Sequence, residues 1–448
     1  MHVALPQQAA PGEGVSGASK FALWMALIAA FSGWMFDGLE MGLYSQVTGP
    51  ALRELVPEDS APISATPEQA EAAKKARGSQ IARYMSWSLA LFLTGMAVGG
   101  IFFGRLGDRI GRVRTMIITV LMYAVFTGLN GLAHSWWYFA TCRFLGAVGL
   151  GGEWGLGVAL VMETWPAVSR PLLAGLLGAA ANVGFLAAAG VGYLQVKLQW
   201  DWRPVLVVGF VPALLTMVIR IYVKEPERWV KSKGRGEKSR FSELFSPEFR
   251  RRTWVGMGMG AVSVLGLWGT VQFWGQEWVR NLVSPGNTGS PEANAASAAL
   301  TLYMAVGAIL GGLFGGLAGD WLGRRVSFVV LCMSSMVCVL VVYGTCTVFG
   351  AKLLWLVALA QFFQVALFGW LPLYLPELFP TRLRTTGEGF CFNVGRAVSA
   401  VAVVVGMGRL VGVFGSIPKA AMVTSLVYLF AILLAALGPE TKGQDLPE

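Results

Sequence analysis

Twelve stretches of mostly apolar residues run through this chain, near 21–47, 84–105, 114–133, 137–162, 171–195, 203–223, 253–278, 296–319, 326–349, 353–376, 386–408 and 418–438. Each is close to the ~20 residues that a helix needs to cross the hydrocarbon core of a bilayer. Short polar or Gly/Pro-containing breaks separate them. The composition fits: 55% hydrophobic, 13% charged, mean hydropathy +0.59, against about 25% charged residues in soluble domains. The expected fold is all-α and integral to the membrane, with twelve transmembrane helices.

The chain also repeats itself. Gly99-Gly100, Asp108, Gly111 and Arg112 recur as Gly311-Gly312, Asp320, Gly323 and Arg324, at a constant offset of 212 residues. A second echo follows each copy: Glu163, Pro166 and Arg170 have the spacing of Glu377, Pro380 and Arg384, and Asn182-Val183-Gly184 matches Asn393-Val394-Gly395. Two copies of one unit, six helices each, are the architecture of many membrane transporters. The expected organisation is an N-terminal tail (1–20), a first half (21–223), a charged linker (224–252), a second half (253–438) and a C-terminal tail (439–448).

Lys and Arg set the orientation. Arg105, Arg109, Arg112 and Arg114, ten basic residues within 224–252, and Arg324, Arg325, Arg382 and Arg384 all fall on one side. Loop 48–82, on the other side, offsets its basic residues with Glu54, Glu58, Asp59, Glu68 and Glu71. Both termini are therefore expected to be cytoplasmic, and the net charge of +10 reflects membrane topology rather than nucleic-acid binding. Residues 1–20 hold no long apolar run, so the first helix is expected to direct insertion. The linker predicts a partly helical segment on the inner membrane face, and 66–77 a short exposed helix.

Catalytic and metal chemistry find no support. Cys142, Cys332, Cys338, Cys346 and Cys391 fall in or near apolar spans without a CxxC pair, and read as packing residues. His2 and His134 are isolated. There is no Walker-type loop for a nucleotide. No cofactor and no metal are expected.

The Asp-containing loops resemble "motif A" of the major facilitator superfamily, between helices 2 and 3 and between 8 and 9. Arg143-Phe144-Leu145-Gly146 through Gly152-Glu153 resembles the helix-4 signature of the sugar and metabolite:H⁺ symporters. Asp37-Gly38-Leu39-Glu40 resembles their helix-1 Asp-Gly-x-Asp, with Glu in the second acidic place. Pro376-Glu377-Leu378-Phe379-Pro380-Thr381-Arg382 and the tail Pro439-Glu440-Thr441-Lys442-Gly443 fit the same group. The resemblance spans the whole chain and points to the organic-anion branch that carries aromatic acids, sialate or lactate.

That resemblance implies roles for particular residues. Asp108 is read as opening helix 3, where the helix dipole favours a carboxylate. Arg112 and Arg114 are placed to pair with Glu163, and Arg324 and Arg325 with Glu377. With Asp320 and Arg384, these form the latch that in the family holds the cytoplasmic side closed; topology and turn geometry alone are the plainer reading. Asp37 and Glu40 lie three residues apart and face one side of helix 1. A charge inside a span is costly, so it is informative. Arg143 on helix 4 lies at about the depth of Glu40, slightly outside Asp37. An Asp37–Arg143 pair is the family's proton-coupling couple: the carboxylate stays ionised with the guanidinium near and gains a proton when it leaves. A static pair joining helices 1 and 4 is the alternative. Glu153 is either part of a proton path or bonded to nearby backbone.

Arg396 falls mid-membrane on helix 11, one turn beyond Asn393. In the family, helices 5 and 11 line the central cavity, which makes Asn182 the symmetric counterpart of Asn393. Arg396 is read as the anchor for a substrate carboxylate, with a salt bridge inside its own half as the other possibility. Gln272 and Trp274 on helix 7, Tyr303 on helix 8, and Gln361 and Gln364 on helix 10 supply further polar or stacking contacts. The expected protein is a monomeric transporter in the bacterial inner membrane, surrounded by lipid and taking up a small organic anion with H⁺. A sugar or polyol substrate is the first alternative, and a membrane sensor that kept the fold is the alternative of another class.

Overall fold

The computed structural model describes residues 19–57, 67–235, 240–272, 274–285, 287, 290–402, 406 and 408–448. The expectations for most of the N-terminal tail, and for the parts of loop 48–82, the linker and the eleventh span that fall between these ranges, lie outside the described residues.

The first half is α1 (Lys20–Leu55), α2 (Pro67–Ile110), α3 (Arg112–Asn130), α4 (Trp136–Thr164), α5 (Arg170–Lys197) and α6 (Trp202–Ile221). A short linker helix, α7 (Glu227–Gly234), follows. The second half begins with α8 (Arg250–Leu267), which passes through a π-helical turn at Trp268–Gln272 into α9 (Trp274–Val283). It continues with α10 (Pro291–Leu322), α11 (Arg324–Thr345), α12 (Ala351–Tyr374), α13 (Arg384–Val401), α14 (Gly408–Phe414), α15 (Ile417–Ser425) and α16 (Phe430–Leu437).

Eleven helical stretches among the described residues are long and apolar enough to cross a membrane. The expected eleventh span, 386–408, begins as α13 but does not qualify, because Arg384, Glu388, Asn393 and Arg396 lower its hydropathy. Those polar groups are tolerated because α13 packs on α2, α4 and α8 rather than on lipid. Elsewhere large apolar side chains such as Val125, Leu215, Val337 and Ile432 point outward, as a lipid-facing surface requires.

The loop expected at 48–82 is shorter. The Ala/Glu/Lys-rich stretch expected as a separate helix is the start of α2. Arg77 on this extension donates to the carbonyls of Arg53, Val56 and Pro57 at 3.0, 2.8 and 2.7 Å, satisfying carbonyls that the end of α1 leaves open.

The two halves meet along α5 with α10 and α12, and along α2 and α4 with α13. At Gly178 the backbones of α5 and α12 come so close that a Cβ there would collide with Gly369, while a Cβ on Gly369 would collide with the Gly312 carbonyl of α10. Toward the linker, one core joins both halves, with Trp34, Trp154 and Leu173 packed among residues such as Leu367, Trp370, Leu378 and Phe392. At the opposite end the cores separate. Leu39, Leu43, Tyr44, Val47, Phe139 and Trp202 belong to one cluster within the first half, while Val271, Trp278, Leu300, Val339 and Leu353 belong to another within the second. The described conformation is closed at the linker end.

Candidate functional site

The repeated loops build the closure. Gly111 and Gly323 both take positive φ, +118° and +84°, a conformation open mainly to glycine, and each precedes a helix without a capping side chain of its own. Distant carboxylates supply the caps. Glu225 accepts the amides of Arg112 and Arg114 at 2.7 and 3.1 Å. Glu440 accepts those of Arg324 and Arg325 at 2.9 and 3.1 Å.

Behind each cap lies an arginine–glutamate fork. Arg112 holds Glu163 through Nη2 and Nε at 2.8 and 3.0 Å, and Arg324 holds Glu377 in the same way at 2.6 and 3.0 Å. Arg114 and Arg325 do not join, contrary to expectation. Two residues past Arg112 and one past Arg324 on their helices, they face away: the Arg114 side chain is exposed and Arg325 reaches the carbonyls of Ala435 and Ala436.

Asp108 also sits differently. It lies in the last turn of α2 rather than opening α3, and its carboxylate crosses to the second half. It accepts the amides of Thr385 and Thr386 at 3.2 and 2.8 Å and the Thr386 hydroxyl at 2.6 Å. The expected helix-dipole interaction is therefore made with the N-terminus of α13. Arg112 pairs with Asp108 at 3.1 Å and donates to the Thr381 carbonyl at 2.6 Å, while Arg384 crosses back to Glu163 at 2.7 Å.

The second copy does not repeat this crossing. Asp320 is 52% exposed and 3.8 Å from Arg324. At the 214-residue offset, Thr385 and Thr386 correspond to Pro171 and Leu172. Proline has no N–H to donate and leucine no hydroxyl.

The C-terminal tail closes over this cluster. Leu446 is buried in the shared core, the Pro447 carbonyl accepts from Arg384 at 2.7 Å, and Thr441 donates its hydroxyl to Glu377. Burial would raise the Glu440 carboxyl, but four backbone N–H groups (Arg324, Arg325, Lys442, Thr441) outweigh it and hold the group below the usual carboxylate range.

Deeper in the first half the expected Asp37–Arg143 pair is replaced. Arg143 donates to Glu40 at 2.7 Å and lies over the rings of Tyr44 and Phe92 at 3.2 and 3.8 Å. Glu40 also accepts from Thr127 at 3.2 Å. Glu40 stands one turn beyond Asp37 and has the longer side chain, so it meets the guanidinium at its own depth. Asp37 is left buried with Oδ1 unpartnered; the charges acting on it are Arg220, Glu40 and Arg396.

Glu153 is bonded, but to side chains. Arg220 of α6 pairs with it and donates to the Met116 carbonyl at 2.9 Å, and Thr119 donates to Glu153 at 2.9 Å. Arg220 was not anticipated, although an arginine inside an apolar span was the available signal.

Arg396 sits where the halves meet, 8% exposed. It lies 4.5 Å from the centre of the Phe392 ring and contacts Met96 Sδ at 3.2 Å on α2. Among the described residues no carboxylate pairs with it; Asp37 is the one whose charge reaches it. Phe392 in turn stacks on Trp154 of the first half, centroids 4.0 Å apart and 20° between planes. Asn393 donates to the Gly151 carbonyl at 3.1 Å, tying α13 to α4, and Asn182 is half-buried on α5.

Within the second half Gln361 donates to Gln272 at 3.1 Å, and Gln364 to Thr270 at 2.8 Å, beside the π turn. The carbonyl oxygens of Gln361 and Gln364 and the Trp274 indole N–H are buried without partners among the described residues. Tyr303 stands apart from them, edge-on to Trp355 at 5.0 Å, whose ring is exposed on the outer face.

Comparison with known proteins gives concordant likenesses. The sequence profile of the Major Facilitator Superfamily matches residues 79–413. A Haemophilus influenzae protein named for metabolite transport is 30% identical over 428 residues, covering 94% of this chain and 98% of its own length. The cis,cis-muconate transport protein of Acinetobacter baylyi is 29% identical over 365 residues, covering 79% of this chain and 84% of its own. The proton:xylose symporter XylE, solved with 6-bromo-6-deoxy-D-glucose, superposes with a TM-score of 0.75 at 17% identity, covering 95% of this chain and 98% of its own.

Proposed function

This chain belongs to the Major Facilitator Superfamily, a multi-pass membrane transporter and not an enzyme, and on that premise we propose that it takes up a small organic anion together with H⁺ by alternating access. The proposed setting is the bacterial inner membrane with both termini cytoplasmic, so that the linker end is the inner side. The protein works as a monomer.

One observation carries the reading. Arg396 is a buried cation at the junction of the halves with no carboxylate bound to it among the described residues, and an unpaired buried charge is costly unless a ligand completes it. A substrate carboxylate fits the planar fork of the guanidinium, and the Trp154–Phe392 platform suits a planar or unsaturated acid. Muconate, named for one relative, is such an acid.

Coupling follows from Asp37. It stands in the fields of Arg220 and Arg396. A substrate carboxylate on Arg396 neutralises one of those cations, and the buried Asp37 then favours its protonated form. Substrate and proton thus load together. The Glu40–Arg143 pair, stacked between Tyr44 and Phe92, keeps α1 fixed against α4 while Asp37 titrates.

The test is a thermal-shift screen of purified protein against carboxylates, their amides and sugars, repeated on Arg396→Ala. Stabilisation by a carboxylate, lost in the variant, supports the reading. Stabilisation by sugars alone rejects it.

A further inference from the structure

Glu388 lies on the first turns of α13, inside the seam that α2 and α4 cover. It is 0% exposed, and neither carboxyl oxygen has a hydrogen-bond partner among the described residues. The packing leaves no room for relief. A Cβ on Gly389 would collide with the Gly100 carbonyl of α2, and a Cβ on Gly155 of α4 would meet the Glu388 Cβ at 3.7 Å.

The charged groups facing it are Arg384 on its own helix, Glu163 on α4, Arg112 on α3 and Asp108 on α2; the Cys391 thiol is the other titratable neighbour. The two arginines are already committed. Arg112 serves Glu163, Asp108 and the Thr381 carbonyl, and Arg384 serves Glu163 and the Pro447 carbonyl. A carboxylate left there unpaired carries its full desolvation cost, whereas the neutral acid carries much less.

We propose that Glu388 is a proton-binding site operated by the closure: it holds a proton while the linker end is shut and releases it to water on that side when the halves part. The seam around it is the surface that opening separates. Once wetted, a carboxyl is ionised at neutral pH. The step moves one proton from the Glu388 oxygen to water and changes no other bond. The inference rests on the alternating-access reading, to which it adds a second proton site, distinct from Asp37.

The sign follows from linkage. The shut state binds one more proton than the open state, so raising the pH favours opening, by up to tenfold per pH unit. The experiment places spin labels at Val168→Cys and Leu322→Cys, exposed at the linker end of the two halves, on a background without the five native cysteines. Distances are measured without substrate across about three pH units around neutrality for the parent, Glu388→Gln and Asp37→Asn.

The open-to-shut ratio should rise with pH in the parent. It should lose one proton's worth of slope in Glu388→Gln, while Asp37→Asn keeps that share. An unaltered slope in Glu388→Gln overturns the proposal. If in the same experiment Asp37→Asn abolishes the slope, proton coupling through Asp37 stands and only Glu388 is excluded. Glu388→Leu, of similar size and without a titratable group, gives the same reading should the Gln variant not fold.

Discussion

The Asp108 carboxylate accepts the backbone amide of Thr386 at 2.8 Å, so a residue ending a helix of the first half caps a helix of the second. Its counterpart Asp320 meets no such amide, because Pro171 stands where the motif would need a donor. Two copies of one sequence motif therefore do different work, and the difference can be measured.

Asp108→Asn should release the closure. A hydrogen bond to a charged group contributes about 1.5–3 kcal/mol, so the open-to-shut ratio should rise by about ten- to a hundredfold. Asp320→Asn should leave it within about fivefold, the range of an exposed pair worth under ~1 kcal/mol. Distances between labels across the linker end report both. Equal responses would mean that the crossing contact does not control the closure.

Glu440 gives a pH signature. Its carboxyl is held below the usual range in the folded protein, so its contribution is full above the unfolded value, about 4.3, and is lost as the pH falls through the lowered folded value. The thermal midpoint of the parent should drop more steeply than that of Glu440→Gln in that acidic window. Parallel curves would show that the cap on α11 contributes nothing.

Much of this was legible in the sequence, and the failures share a cause. The twin loops and the two halves follow from the spacing of the repeat, and the resemblance pointed to the Arg112–Glu163 and Arg324–Glu377 forks without separating Arg112 from Arg114 or Arg324 from Arg325. Which carboxylate meets Arg143 depends on rotation and depth to within one helical turn. Asp37 and Glu40 share a face, and the expected partner of Arg143 was Asp37; reach decides for Glu40 instead. The caps from Glu225 and Glu440 are contacts between residues more than a hundred positions apart, which no local signal marks. Arg220 and Glu388 were legible as charges inside apolar spans. Neither belongs to the repeat or to a motif, so spacing does not single them out.

The Glu153–Arg220 pair is buried on both sides. Arg220→Leu should destabilise the protein by about 3–5 kcal/mol by stranding Glu153, and Glu153→Gln in that background should recover at least half of the loss. Unfolding in denaturant, read by tryptophan fluorescence, measures the cycle. A double variant no better than the single would show that Glu153 finds another partner.

Arg396→Lys should bind substrate almost as poorly as Arg396→Ala, because a point charge cannot replace the two-pronged donor. The loss expected for Ala is about one to two powers of ten in Kd, from ~1.5–3 kcal/mol for a charge-assisted bond. An amide analogue should bind the parent weakly and be almost indifferent to the substitution. Equal losses for acid and amide, measured by calorimetry, would make Arg396 a structural residue.

The most direct test uses proteoliposomes with a pH-sensitive dye outside and a panel of small carboxylates, their amides and neutral sugars added in turn. The account predicts that a carboxylate drives external alkalinisation with its own uptake, that its amide does not, and that Asp37→Asn abolishes the proton movement while downhill flux of the acid persists. Proton movement driven by sugars alone, or carboxylate accumulation with undiminished proton movement in Asp37→Asn, would contradict it.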